Sequence, residues 1–153
     1  MKSNKIINII SVFTFSATLS ACATDKHAYN QNPQKIFAAV NSKYPTDKNT
    51  LVFIDAPTGF IANKLAIDTV VNNVDSGKVV AISSALALKT STVIVAGENE
   101  FLTASTLVKA LASDKSKISG AKLIVIGANE SRQKLTDLAA YSDVSIEFID
   151  TPI

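Results

Sequence analysis

Three carboxylates stand just after short apolar runs, a position from which they could bind a cation. Asp55 follows "LVFI", Glu98 follows "TVIVAG", and Glu130 lies in the loop after "KLIVIG". If these runs are parallel strands, their carboxyl ends meet at one edge of the sheet, where ligands of open α/β sheets bind. Carboxylate oxygens suit hard cations such as Mg²⁺. The three residues are therefore a candidate ligand or metal site, and the basis for a carboxylate-dependent enzyme.

A capping role explains the same loops and is favoured by the residues in them. Gly97 and Gly127 would let the chain turn. Asn99, Asn129 or Thr58 would cap the helices that follow. Acids close to a helix N-terminus also interact favourably with the helix dipole. Because all three loops carry an acid, an anion site at these helix ends is disfavoured.

Other signatures of catalysis are absent from the sequence. It contains no GxGxxG after a strand, no GxxxxGK followed by Ser or Thr, no HExxH and no GxSxG. The one histidine, His27, lies in a polar stretch, so a Ser-His-Asp triad or a histidine-based metal site is disfavoured. No cofactor is predicted, and an enzymatic role is the less favoured interpretation.

Four apolar runs predict the strands that would position the loops, and they cover 51–55, 92–97, 122–127 and 144–150. The first three are short, β-branched and nearly continuous, which is typical of parallel strands covered on both faces. The fourth alternates, with Val144, Ile146 and Phe148 on one face, and is predicted to be an edge strand.

A helical pattern at 34–44 precedes the first strand, and further helical patterns at 59–74, 101–113 and 130–142 separate the strands. In 59–74, Lys64, Asp68 and Asn72 recur every four residues as a polar stripe, and apolar side chains fill the remaining surface. Residues 76–91 are ambiguous. A strand there would leave only about eight residues before the next strand, whereas a parallel crossover needs about a dozen. A helix is favoured, with an extra strand as the alternative.

A weak similarity between two segments of the chain supports the same architecture. "IVAGENE" at 94–100 and "IVIGANE" at 124–130 agree at five of seven positions and lie 30 residues apart. That separation fits one unit of strand plus helix. We therefore predict an α/β fold, a small three-layer sandwich with a mainly parallel sheet of about 4–5 strands.

The N-terminal segment predicts export. "MKSNK" is basic, and "IINIISVFTFSATLSA" is an uncharged apolar run that ends in small residues, which is the pattern of a signal peptide. As a helix, a run of about 16 residues spans about 24 Å, less than the roughly 30 Å hydrocarbon core of a membrane. The run is therefore a poor permanent anchor.

The segment Leu19-Ser20-Ala21-Cys22, which contains the only cysteine, resembles the lipobox of bacterial lipoprotein precursors. The resemblance implies that Cys22 is diacylated on sulfur, becomes the first residue of the mature chain and is acylated on its amino group. Two acyl chains already suffice for stable anchoring. Ala23 stands where lipoproteins retained in the inner membrane carry Asp, which implies the outer membrane, facing the periplasm. The alternative is an ordinary secreted protein cut near "SACA".

These features divide the chain into a signal peptide at 1–21, a lipidated tether at 22–34 and a single α/β domain at 35–153. Of the 15 Lys and Arg residues, Lys2 and Lys5 lie in the signal peptide, which holds no acid. The remaining 13 balance the 13 Asp and Glu residues, so no basic surplus is left to bind nucleic acid. No later stretch approaches the length of about 18 consecutive apolar residues that predicts a membrane span.

Location and fold class together favour a binding or assembly module. Bacterial lipoproteins of this size often serve secretion, conjugation, pilus or envelope-maintenance complexes. The lipobox resemblance thus implies membrane attachment through acylated Cys22 and a protein partner in the envelope. Such a module should expose an apolar patch, for example beside 144–150 or at the tail 151–153. The rivals are the carboxylate-dependent enzyme and a small-ligand binder with an apolar pocket at the same end of the sheet.

Overall fold

The computed structural model describes residues 33–45, 49–72, 76–89, 92–113 and 115–150. The predicted signal peptide, Cys22, His27 and the tail 151–153 lie outside the described residues, and the predictions made for them stay predictions. The elements in chain order are α1 (Pro33–Lys43), β1 (Thr50–Ile54), α2 (Phe60–Asn72), α3 (Gly77–Ala87), β2 (Thr92–Gly97), α4 (Glu100–Ala112), α5 (Lys115–Ile118), β3 (Lys122–Ile126), a 3₁₀ turn (Asn129–Ser131), α6 (Arg132–Tyr141) and β4 (Ser145–Ile149).

The strands form one parallel sheet of four, in the order β1-β2-β3-β4. The register places Val52 beside Val95, and Val95 beside Val125. This arrangement confirms the predicted α/β fold with its parallel sheet, and it confirms 144–150 as an edge strand. β1 is the second edge, which its nearly continuous apolar run did not indicate.

The helices cover the two faces of the sheet unequally. Each connection advances by one strand in the same direction, and right-handed crossovers of this kind place their helices on one face. On that face Val93 and Val95 pack in a core built with α2 to α6. Ile94 and Ala96 point to the opposite face, where they pack against α1. Among the described elements, the three layers are therefore five helices, the sheet and one helix.

The end of α1 is joined to the far edge of the sheet. The Tyr44 hydroxyl donates to the Glu147 carboxylate on β4, and Lys43 Nζ lies 3.7 Å from the same carboxylate. The Lys122 ammonium lies 5.0 Å from the centroid of the Tyr44 ring. The hydrogen bond and charge interaction with Tyr44, and then Glu147, raise the pKa of Lys43.

The ambiguous segment at 76–91 contains helix α3. Ser76 Oγ accepts a hydrogen bond from the Val79 backbone N–H at 3.4 Å and caps the first turn. Val79, Ile82 and Leu86 recur at helical spacing and are buried. The favoured helix is confirmed, and the described part of this segment contains no strand before β2.

Helix α2 is where the structure differs most from the sequence pattern. The predicted helix is present, but Phe60, Ile61 and Leu65 expose 68, 82 and 66% of their surface. Asn63 is the buried residue of this helix. The physical reason is that α3, rather than α2, covers β1 and β2, while α2 packs on the outside of α4. Much of the apolar surface of α2 therefore faces solvent.

Candidate functional site

The three predicted carboxylates lie at the same edge of the sheet, in the loops that follow β1, β2 and β3. Asp55 comes directly after β1, Glu98 directly after β2, and Glu130 within the 3₁₀ turn after β3. The structure does not gather them into a metal site. Across the described ranges, no group of three His, Cys, Asp or Glu side chains is placed to hold a metal ion. Each of the three residues has a different environment.

Glu98 joins the loop after β2 to the loop after β1. Its Oε2 accepts a hydrogen bond from the Ala56 backbone N–H at 2.9 Å. Its own backbone N–H donates to the Ile54 carbonyl at 3.0 Å, which continues the ladder between the two strands. The Glu98 carboxylate therefore holds a neighbouring loop in place.

Between the start of α4 and the turn after β3, the buried carboxylate belongs to Glu100 rather than to Glu130. Glu100 Oε1 accepts a hydrogen bond from the Glu130 backbone N–H at 2.6 Å. Glu100 is only 5% exposed, whereas the side chain of Glu130 faces solvent. The signal that could have identified Glu100 is its place directly after Asn99, at the first residue of a helix, where a negative charge is stabilised.

Of the three predicted helix caps, Asn99 is confirmed. Its Oδ1 accepts from the Leu102 backbone N–H at 3.0 Å, at the start of α4. The first hydrogen bond of α2 runs from the Asn63 N–H to the Gly59 carbonyl, so Gly59 rather than Thr58 is the capping residue. Asn129 caps no helix, because the turn that contains it is preceded by Ala128 and α6 begins later.

Arg132, the first residue of α6 after the turn that follows β3, joins this loop to the end of β4. Its guanidinium donates to the Asp150 carboxylate and lies 4.9 Å from the centroid of the Phe148 ring. Together with Glu98 and Glu100, it links the loops at all four strand ends. Most of the polar side chains at this edge therefore hold the loops together.

Asp55 is the predicted site residue that lies beside open space. Its Oδ2 is 3.3 Å from Lys78 Nζ, in an exposed ion pair. Lys78 also donates to the Phe53 carbonyl at 2.6 Å. Since the Ile54 carbonyl is turned towards β2, the Phe53 carbonyl is turned towards the open edge of β1. Lys78 thus satisfies an acceptor on an edge strand.

A cavity of about 500 Å³ opens beside Asp55, between α2, the start of α3 and α4. Its walls are mainly apolar and include Ile54, Ala66 and Leu102, while Asp55 and Lys78 stand among its polar lining residues. The volume falls within the range of about 300–1,000 Å³ that is typical of small-molecule sites. The cavity lies at the predicted end of the sheet, but of the three predicted carboxylates only Asp55 lines it.

An exposed apolar surface covers the first two turns of α2. We call Phe60, Ile61 and Leu65 the α2 surface; Ile61 and Leu65 lie one turn apart on the same side of the helix, and Phe60 is the first residue of the helix. This surface is not where the sequence placed an apolar patch. Beside β4, Ile146 and Phe148 are partly buried against the core, and 151–153 lies outside the described residues.

None of the helices within the described ranges is long and apolar enough to cross a membrane. No family model, curated protein or solved structure matches this chain.

Proposed function

We propose that this protein is an envelope lipoprotein that acts as a binding or assembly module of an envelope complex. Acylated Cys22 would hold it in the outer membrane, facing the periplasm, and the α2 surface would dock its protein partner. The observation that carries the docking role is the exposure of Phe60, Ile61 and Leu65, at 68, 82 and 66%. The lipobox resemblance supports the location.

The α2 surface is more than a scatter of single apolar residues. Its three side chains lie within two turns of one helix, and the loop before the helix adds the exposed Pro57. Single apolar residues on a surface are normal, whereas contiguous ones mark interaction sites. Full burial of one such side chain contributes about 1.5–3 kcal/mol, so three can form the centre of an interface.

The chemistry of the surface favours a protein partner. Lys64 and Asp68 carry opposite charges beside the apolar residues, so no field of one sign is present to attract nucleic acid. Because α1 begins at Pro33, the tether from Cys22 to the helix has eleven residues and would extend at most about 40 Å. A domain on such a tether reaches partners that lie in or near the same membrane.

The carboxylate-dependent enzyme gains no support from the contacts described above. Glu98 accepts from a backbone N–H, Asp55 pairs with Lys78, and Glu130 contributes its backbone rather than its side chain. We therefore do not propose a metal-dependent reaction at this edge.

Crosslinking in intact cells, followed by affinity purification and mass spectrometry, tests the proposal. The unaltered protein is compared with Cys22→Ser, which removes the anchor, and with Ile61→Asp, which places a charge in the α2 surface. Ala140→Asp adds the same charge at an exposed position of α6 and serves as the matched control.

One defined envelope complex should be recovered with the unaltered protein and with Ala140→Asp. It should be lost or strongly reduced with Cys22→Ser and with Ile61→Asp. Equal recovery with Ile61→Asp would refute docking through α2. Recovery of no specific protein at normal expression would refute the module itself.

A further inference from the structure

The cavity beside Asp55 is a second feature of the molecule, separate from the exposed side chains of Phe60 and Ile61. It lies beyond the carboxyl end of β1, where ligands of parallel α/β sheets commonly bind. Of the α2 surface residues, only Leu65 also lines the cavity. Occupation of the cavity and docking through α2 are therefore separable events.

The walls of the cavity favour an apolar molecule. Ala66, Val70 and Leu102 line it directly. Its two threonine hydroxyls already donate to carbonyls of their own helices. Thr69 Oγ1 donates to the Leu65 carbonyl at 2.8 Å, and Thr106 Oγ1 donates to the Leu102 carbonyl at 2.7 Å. A ligand in the cavity therefore meets few hydroxyl donors that still need a partner.

Lys78 provides the positive charge among the described residues that line the cavity. An ammonium has three N–H donors, and the contacts with Phe53 and Asp55 account for two. The first turn of α3, which includes Lys78, contains no acid. A negative group placed here would therefore meet an ammonium and the positive end of a helix.

We propose that this cavity binds a small monocarboxylate with an apolar body. The body would lie between α2 and α4, against Ala66, Val70 and Leu102. The carboxylate would lie at the mouth, where it accepts a hydrogen bond from Lys78.

Asp55 is a weak competitor for Lys78. Its side chain is 75% exposed, and the pair is separated by 3.3 Å. Ion pairs exposed in this way contribute only about 0–1 kcal/mol. A ligand carboxylate can therefore replace Asp55, which turns to solvent, or use the third donor. The contact of Lys78 with the Phe53 carbonyl would hold the ammonium in place in either case.

Fluorine NMR on the full-length protein in lipid nanodiscs tests the proposal. The probes are a fluorine-tagged phenylbutanoate and the alcohol and amine of the same carbon skeleton, with empty nanodiscs as the blank for partition into lipid. The three probes share an apolar body, so differences in affinity report the head group.

Two variants locate the binding. Lys78→Met keeps the apolar stem and removes the charge, while Ala66→Trp fills the cavity with a large side chain. Lys64→Met is the matched control, because Lys64 is an exposed lysine of α2 that does not line the cavity. Circular dichroism verifies that each variant is folded. If Ala66→Trp does not fold, the comparison of Lys78→Met with the unaltered protein decides the test.

The carboxylate should bind saturably, and more tightly than the alcohol or the amine. Lys78→Met should weaken it about tenfold or more, because a charge-assisted hydrogen bond is lost. Ala66→Trp should abolish binding, and Lys64→Met should leave it unchanged. Absence of saturable binding, equal binding of the three probes, or binding unaffected by Lys78→Met would overturn the proposal. None of these outcomes depends on whether α2 docks a protein.

Discussion

Gly97 and Gly127 end two strands with similar sequences, yet they are required for different reasons. Gly127 has φ +81°, and Ala128 after it has φ +58°, so the chain turns there through left-handed backbone. Gly97 is required by packing. A Cβ at that position would overlap Thr103 Oγ1 and lie 3.0 Å from the Ile54 carbonyl oxygen. The repeated glycine was visible in the sequence, but the reason for each copy was not.

Gly97→Ala is expected to destabilise the protein by about 1–3 kcal/mol, the usual cost of overpacking a core. Thr103→Ala removes the overlapping oxygen, so the double variant should lose less than the two single losses added together. Gly77→Ala should be nearly neutral, since no atom lies within 4 Å of its added Cβ. Denaturant unfolding of the unaltered protein and the four variants measures these differences. Strict additivity of Gly97→Ala and Thr103→Ala would contradict the packing explanation.

Glu100 should matter more to stability than Glu130, although only Glu130 was selected from the sequence. Glu100→Ala leaves the Glu130 backbone N–H without its acceptor and should cost about 1–3 kcal/mol. Glu100→Gln retains an acceptor and should cost less. Glu130→Ala keeps the backbone N–H and should change the free energy of unfolding by less than about 0.5 kcal/mol, as exposed substitutions usually do. Equal losses for Glu100→Ala and Glu130→Ala would show that the buried carboxylate has no such role.

At the scale of elements, periodicity and run length were enough to predict the four described strands and the longer helices, but not the four-residue α5 or the 3₁₀ turn. Val79, Ile82 and Leu86 explain why 76–91 contains a helix, because they share one buried stripe. The apolar content of α2 did not reveal which helix would lie on the sheet. Two helices connect β1 to β2, and α3 is the one that packs on both strands. Both helices pack against α4, which is distant in sequence from the start of α2, so the local pattern could not distinguish them.

The candidate site was predictable only in its position. Parallel strands bring their carboxyl ends together, so the meeting of the three loops followed from the strand pattern. The hydrogen-bond and ion-pair partners of these loops could not be predicted from the strand pattern. Lys78 reaches Asp55 from 23 residues further along the chain, and Glu100 reaches Glu130 across 30 residues. Such pairs depend on the packing of helices that local patterns do not specify.

The outer position of α2 predicts unusual tolerance to charge. Ile61→Asp should change the free energy of unfolding by less than about 0.5 kcal/mol, because the side chain is 82% exposed. Leu107→Ala on α4 removes a side chain with no exposure and should cost about 2–5 kcal/mol. Thermal and denaturant unfolding compare the two. A comparable loss in Ile61→Asp would mean that this residue is part of the core.

At the scale of the whole molecule, winding in one direction gives the described sheet two edge strands and two unequally covered faces. β1 and β4 remain at the ends of the sheet, and α1 is the described helix on the second face. Lys78 donates a hydrogen bond to the Phe53 carbonyl on β1. At the opposite edge of the sheet, Arg132 lies over the Phe148 ring on β4. Contacts from a neighbouring helix that cover an edge strand are a common protection against pairing with other chains.

The proposed anchor predicts the chemical form of the mature protein. Its N-terminal peptide should begin at Cys22 and carry three acyl chains in mass spectrometry of membrane-extracted material. Cys22→Ser should prevent acylation and leave the protein unanchored, since the acyl chains supply the membrane affinity. An unmodified thiol at Cys22, or a chain cut at another residue, would support the ordinary secreted protein instead.

The most direct test of the central claim is site-specific photo-crosslinking in living cells. A photo-reactive amino acid is placed at Ile61 on α2 in one strain and at Ala140 on α6 in another, both in the otherwise unaltered protein. We predict that position 61 crosslinks to one defined envelope protein, that position 140 does not, and that Cys22→Ser abolishes the crosslink. The same partners from both positions, or none from position 61 at equal expression, would contradict docking through α2.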